Sequence, residues 1–315
     1  GVLAGLEVVR TLNDHGIETE APIEVAFWTN EEGSRFVPVM MGSGAFAGVF
    51  TPDFIRAQKD IAGASVGDEL ARIGYRGAHP CGAVPGGMFA AYFEAHIEQG
   101  PVLEAQSLPI GIVTGALGQQ WYDVTVTGMD AHAGPTPMAL RQDALLAAAR
   151  MVEAVNRIAL SEAPHGRGTV GYLQVLPNSR NVIPGQVQFS VDFRNLSQDG
   201  LDRMDAALRA ALAQIAGATQ VQVDVVQVVK YEPCLFDAHC VASVRHAAER
   251  LQLPHMDVVS GAGHDAVYVN GVAPTGMIFV PCKDGISHNE IEDALPEHIA
   301  AGANVLLLAM LERAQ

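Results

Sequence analysis

The 315-residue chain sets 19 Lys and Arg against 35 Asp and Glu, a formal charge of −16, with a sequence pI of about 5.0. That surplus of negative charge argues against nucleic acid and anionic membrane surfaces as partners, while one or two arginines can still hold a small carboxylate. Apolar residues make up 49% of the chain, a soluble globular composition with enough core for two domains.

In chain order, residues 1–16, "GVLAGLEVVRTLNDHG", read as an amphipathic helix with Val2, Leu6, Val9 and Leu3 on one face, ending at His15-Gly16. There is no initiator Met and no capping residue ahead of it. A processed terminus or a trimmed tag accounts for this, as does a structural segment further upstream. Residues 22–30 read as a buried strand. Residues 31–64 mix Gly, Ser and Pro with short apolar pieces, hence loops and short helices; 65–75 and 87–92 read as helical, and "YFEAHIEQG" as a strand. This mixture of helices and buried strands predicts an α/β layered domain.

The texture changes near residue 115. "QWYDVTVTG" alternates, with Trp121, Val124 and Val126 set against Asp123, Thr125 and Thr127. A helix over 141–158, strands near 168–175 and 186–194, a helix over 199–216 and a strand over 219–229 follow. The order β-α-β-β-α-β predicts a ferredoxin-like insertion of roughly 115–233. Residues 1–114 and 234–315 then form one domain, with a helix at 238–252, a strand at "MIFVPC" and a closing helix at 296–313. The four cysteines, Cys81, Cys234, Cys240 and Cys282, form no C-x-x-C pair and read as reduced thiols of a cytoplasmic protein. No signal peptide and no membrane-length apolar run is visible.

Four polar clusters follow apolar strands or sit in Gly-rich turns: Asn30-Glu31-Glu32, His96-Ile97-Glu98-Gln99, Gly263-His264-Asp265 and Ser287-His288-Asn289-Glu290. In open α/β sheets ligands gather where strands end. Glu32, His96 and His288 are good zinc or manganese ligands by type. Each histidine taken singly is more often structural, and a Glu-Glu pair is more often a solvated turn; their recurrence at similar places weakens that reading. In the inserted domain, His132 lies in "AHAGP" after an exposed strand, Asn181 in "SRNVIPG", and Arg194 closes "QFSVDFR". Arg suits a carboxylate through its planar fork, although spacing alone favours a surface ion pair, and His132 reads equally well as a turn residue. The remaining histidines (His15, His79, His165, His239, His246, His255, His298) read as surface or helix residues.

Taken together, "TNEEGSRF", "EAHIEQGPVLE", "AHAGPTPM…R.DAL", "NVIPG", "GAGHDA" and "ISHNEIE" resemble the metal-dependent N-carbamoyl-L-amino acid and allantoate amidohydrolases of the aminoacylase and carboxypeptidase G superfamily. The resemblance runs over essentially the whole chain. It implies a mixed-sheet α/β metallohydrolase domain, an inserted ferredoxin-like lid that also dimerises, two divalent ions (zinc or manganese), and a small ureido substrate bearing a carboxylate. Carried over residue by residue, it makes Glu31 the general base, Glu32 and His288 ligands of one metal and His96 a ligand of the other. Gln99, Asn181, Arg194 and Gly263 would contact substrate, with Asn181 and Arg194 on its carboxylate. His132, from the partner subunit's lid, would stabilise the oxyanion. His264 and Asp265 match the motif without an assigned role. The resemblance also implies an upstream segment of the form H-x-D-T-V…G-G-x-x-D-G, with a His ligand and a bridging Asp. This chain starts after it, so an inactive or severely impaired polypeptide is the expectation. A related metallo-dipeptidase or aminoacylase, and a non-catalytic dimeric remnant, are the competing readings.

Overall fold

The computed structural model describes residues 1–82 and 87–315. The chain divides into two compact units, residues 1–116 with 235–315, and residues 117–234.

The first unit is built on a mixed sheet. Tyr92–Ile97 runs parallel to Thr275–Val280, with His96 opposite Phe279. Thr275–Val280 is antiparallel to Ile110–Ala116, which pairs in parallel with His255–Ser260. The two central strands are buried on both faces, and Ile110, Ile112, Val113, Met277 and Ile278 are fully excluded from solvent, as parallel-type strands with covered faces require. On one face the helices Ala238–Arg250 and Pro296–Ala314 pack down. A Cβ on Gly302 would lie 2.6 Å from Val280 Cγ1, so only glycine lets the closing helix sit this close. Tyr92, Glu94 and His96 share one strand face by the period of two, the face of Phe279, whose ring lies 6.4 Å from that of His96.

The second unit is the split βαβ arrangement the pattern predicts. Its strands run Gly118–Thr127, Arg167–Thr169 with Leu173–Leu176, Gln186–Asn195 and Gln222–Tyr231. In space Gln186–Asn195 and Gln222–Tyr231 flank Gly118–Thr127, and the 167–176 strands lie beyond Gln186–Asn195; every pairing is antiparallel. The helices Ala144–Ser161 and Gln198–Thr219 cover one face. Their core joins Tyr122, Val124, Val126, Phe189 and Phe193 to Met151, Leu208 and Leu212, each large side chain contributing about 1.5–3 kcal/mol by leaving water. Asp143 and Ser197 cap the two helices by accepting from backbone N–H groups.

Several expected elements differ. Residues 22–30 join no ladder among the described residues, residues 29–30 form a turn, and Phe27 is 72% exposed. An apolar run meets the side-chain requirement for a buried strand, but a ladder also needs a partner backbone. Residues 87–91 are turn and irregular chain rather than helix, and a strand begins at Tyr92. The first helix, Val2–His15, ends at left-handed Gly16 as expected, but buries Val8 and Leu12 while Leu3 and Leu6 face out. Trp121 lies on the exposed face with Asp123; its neighbour Tyr122 is the buried aromatic.

Candidate active site

In the first unit, the loop after Trp28 is folded back on itself. Asn30 takes a left-handed conformation, and its amide donates to the carbonyls of Phe36 (2.8 Å) and Pro38 (3.2 Å). The backbone closes the loop through Met40 N–H to Glu31 O (2.7 Å) and Gly42 N–H to Thr29 O (2.9 Å). A Cβ on Gly42 would stand 2.6 Å from Thr29 N, so the crossing is reserved for glycine. The two adjacent glutamates leave this loop in different environments. Glu32 is exposed and its Oε2 lies 3.3 Å from His288 Nε2. Glu31 is half-buried, and its carboxyl is pushed up to about 7, first by burial and then by the negative charges of Asp265 and Glu32, against the pull of His288. Adjacent in sequence, Glu31 and Glu32 therefore differ in burial.

Around them sits a polar network on the Glu94–His96 strand face. His96 Nδ1 donates to Ile97 O (2.8 Å); since a carbonyl only accepts, Nε2 presents its lone pair, the tautomer a metal ligand needs. Burial holds the His96 imidazole below its ordinary value. His264, buried 4.8 Å from His96 between ring centroids, shares a 2.6 Å hydrogen bond with Ser260 Oγ, and burial, then His96, drops it to about 3. The Asp265 carboxylate accepts from Ser43 Oγ and is raised to about 6 by burial. Glu94 accepts from Tyr92 Oη and from Ala266 N–H, both at 2.9 Å, and Trp28 Nε1–H donates to Tyr92 Oη at 3.0 Å. Burial, then Asp265, raises Glu94 to about 7. Gln99, in a left-handed backbone conformation, donates from Nε2 to Ser287 Oγ (3.1 Å), while its buried Oε1 has no hydrogen-bond partner. Gly263 lies over Met40, whose Cε would be 3.1 Å from a Cβ there.

The second unit holds the other expected residues. His132 pairs with Val182 and Ala131 with Ile183 in a two-residue ladder. Gly134 N–H donates to His132 Nδ1 (3.1 Å), so Nε2 carries the ring proton of this exposed histidine. Asn181 is tied to the same loop through Ala133 N–H to Asn181 O (2.8 Å). Arg194 forms an ion pair with Asp192 two residues earlier (2.8 Å).

The structure therefore brings Glu31, Glu32 and His288 together and sets His96 beside His264. Separately, it joins His132 to Asn181. Glu94, Tyr92, Trp28, Ser43 and Ser260 join this network from outside the assigned candidate residues. Only Glu94 carried a local signal, two residues before His96 on a strand. The donor types around Glu32 and His288 suit a divalent cation, but among the described residues no group of three or more His, Cys, Asp or Glu gathers to hold one.

The chain is thus an α/β sheet domain interrupted by a ferredoxin-like unit, and its first unit sets a half-buried glutamate beside an exposed Glu–His pair. Residues 1–312 match Peptidase family M20/M25/M40; the chain belongs to this family and is a hydrolase acting on C–N bonds. It is 50% identical over 315 residues to the N-carbamoyl-L-amino-acid amidohydrolase of Rhizobium meliloti, covering all of this chain and 75% of that protein. It is 32% identical to the ureidoglycolate hydrolase of Arabidopsis thaliana, over 98% of this chain and 67% of the relative. The crystal structure of an amidase of the hydantoinase/carbamoylase family from Burkholderia multivorans superposes with a TM-score of 0.97 at 61% identity, over 100% of this chain and 76% of that one.

Proposed function

We propose that the chain hydrolyses the C–N bond of a ureido or carbamoyl group on a small carboxylate substrate: an N-carbamoyl-L-amino acid, allantoate or ureidoglycolate. The observation that carries the reading is Glu31, half-buried and raised to about 7, beside the contacting pair Glu32 and His288. The names of the relatives in Rhizobium meliloti and Arabidopsis thaliana support the ureido class. The unpartnered Gln99 Oε1 supports it further. A buried acceptor without a donor costs about 1–3 kcal/mol, and a carbamoyl NH2 supplies that donor where an acyl methyl cannot.

Glu31 takes a proton from water as the oxygen adds to the ureido carbonyl, and returns it to the leaving nitrogen as the C–N bond breaks. His132 donates its Nε2 proton in a hydrogen bond to the oxygen on which negative charge develops. Asn181 and Arg194 hold the substrate carboxylate, and Gln99 and Gly263 contact the substrate. For a carbamoyl amino acid the products are the amino acid and carbamate, which decays to ammonia and carbon dioxide. Glu32 and His288 would hold one divalent ion, and His96 a second. Zinc or manganese there supplies Lewis acidity and a lowered water pKa. The protein works as a homodimer through residues 117–234, whose strand Gln222–Tyr231 leaves Val226, Val228 and Tyr231 exposed on an open sheet edge. The four free cysteines fit the cytoplasm, and no helix among the described residues is long and apolar enough to cross a membrane.

The test is a substrate panel of carbamoyl amino acids, allantoate, ureidoglycolate, acyl amino acids and dipeptides. Each is run after chelation and again with added zinc or manganese. Metal-restored turnover of a ureido compound is expected. Turnover confined to dipeptides or acyl amino acids would overturn the reading in favour of a peptidase or aminoacylase. No turnover and no metal uptake would favour a non-catalytic remnant.

A further inference from the structure

The loop that carries His132 runs from the end of a two-residue ladder to the helix Ala144–Ser161, through "HAGPTPMALRQD". Beyond residue 132 it makes no ladder, and most of it is exposed. Carbonyls in such a loop would ordinarily be left to water, and the loop would sample many conformations. Here two of them converge on one side chain. Arg141 Nη2–H donates to Ala133 O at 2.7 Å and to Thr136 O at 3.0 Å, and its Nε–H donates to Thr136 O at 3.1 Å. Arg141 stands two residues before Asp143, the cap of the helix, so its backbone is fixed to a rigid element.

An arginine on a protein surface usually meets a carboxylate or water. This half-buried guanidinium instead spends its planar fork on the backbone of a single loop, the residue after His132 and the residue four after it. The same loop residue, Ala133, is held from its other side by Asn181 O at 2.8 Å, and Thr136 N–H reaches back to His132 O at 3.3 Å. The imidazole is then set by Gly134 N–H on Nδ1 at 3.1 Å, a bond that exists only while the 132–136 turn keeps its shape.

We infer that Arg141 is a positioning residue: it clamps the 133–136 turn so that Gly134 holds His132 as the Nε2–H tautomer, with the donor facing outward. The inference rests on the reading of His132 as the donor to the developing oxyanion. Its effect is bounded by that of His132 itself. Losing one oxyanion donor costs about 10²–10³-fold in kcat, and misplacing a catalytic group by 1 Å costs about 10²-fold.

The experiment is a double-mutant cycle in the purified protein, with Arg141→Ala, His132→Ala and the double variant, on the best substrate of the panel. Arg141→Ala is expected to lower kcat roughly 10–100-fold with KM moved less than about threefold, the split of an interaction made in the transition state. In the His132→Ala background it should add less than about twofold, because a residue acting through another has nothing left to act on. Free guanidinium should restore part of kcat to Arg141→Ala. An equal loss in both backgrounds, or full kcat in Arg141→Ala, would overturn the inference. The ring nitrogens of His132, read by nitrogen-15 chemical shift, give a second readout that needs no turnover. One fixed Nε2–H tautomer is expected in the native protein, and averaged shifts in Arg141→Ala. If His132→Ala proves fully active, the reading of His132 fails, and the ring spectrum alone decides the role of Arg141. Should Arg141→Ala not fold, Arg141→Met keeps the apolar stem, removes the donors and carries the same spectral test. An unchanged His132 spectrum in it overturns the inference.

Discussion

Adding a single methyl group at Gly128 is expected to loosen the whole entrance to the His132 loop. A Cβ there would lie 2.0 Å from the Gln142 carbonyl oxygen, 2.9 Å from its carbon and 3.2 Å from Ala144 N. Carbon and oxygen come into comfortable contact at roughly 3.3 Å, so the two backbones must part by about 1 Å. That movement weakens Met129 N–H to Gln142 O (2.9 Å) and Gly128 N–H to Gly185 O (2.7 Å). Two weakened bonds at about 0.5–1.5 kcal/mol each add to overpacking strain of about 1–3 kcal/mol. Against this stands a gain of about 0.4–1 kcal/mol from a stiffer unfolded chain, leaving Gly128→Ala destabilising by roughly 1–5.5 kcal/mol. Gly217 is the matched control. It lies near the end of the helix Gln198–Thr219 with nothing within 4 Å of its Cβ position, so Gly217→Ala should stabilise by about 0.5–1 kcal/mol. The assay is urea unfolding followed by Trp121 fluorescence in a Trp28→Phe background, so that only the second unit reports. Gly128→Ala should also lower kcat, because the displaced residues lead into His132. A Gly128→Ala protein with native stability would refute the reasoning, as would one in which both glycine replacements act alike.

Three further outcomes follow from the same geometry. Glu31→Gln keeps the shape of the loop and removes the proton acceptor, so kcat should fall by about 10²–10⁴ with little change in KM, measured by steady-state kinetics. Leu208, fully buried in the core of the second unit, should cost about 2–5 kcal/mol when cut to Ala, read from the shift in the urea midpoint. In native protein treated with a thiol reagent, the exposed Cys81 should react first, and Cys81→Ser should remove that phase. Cys240, buried and pushed up to about 12, and buried Cys282 should react only on unfolding.

How far the sequence reaches is clearest element by element. The helices Ala144–Ser161 and Gln198–Thr219 and the strand Gln186–Asn195 are legible because each alternates or repeats against a single buried face. The order of these elements already implies the ferredoxin-like sheet. Strands Ile110–Ala116 and His255–Ser260 passed unread, the first because a doubly buried strand has no alternation to see. The apolar run of the 22–30 segment reads as a buried strand, but no partner backbone among the described residues completes a ladder.

The site divides in the same way. Residue type marked Glu32, His96 and His288 as candidate ligands, and the family resemblance of the short motifs added Glu31 as the candidate base. They could not say that Glu31 and Glu32, adjacent in sequence, differ in burial, so that one is raised to about 7 while the other lies exposed against His288. Nor could they find Ser43 against Asp265, or Arg141 folded back on the turn after His132. What the sequence by itself determined was the chemistry available to this protein. Which of those groups is desolvated and which is paired was decided only by the tertiary structure, because burial and contacts such as Glu32 with His288 and Ser43 with Asp265 join residues far apart in the chain.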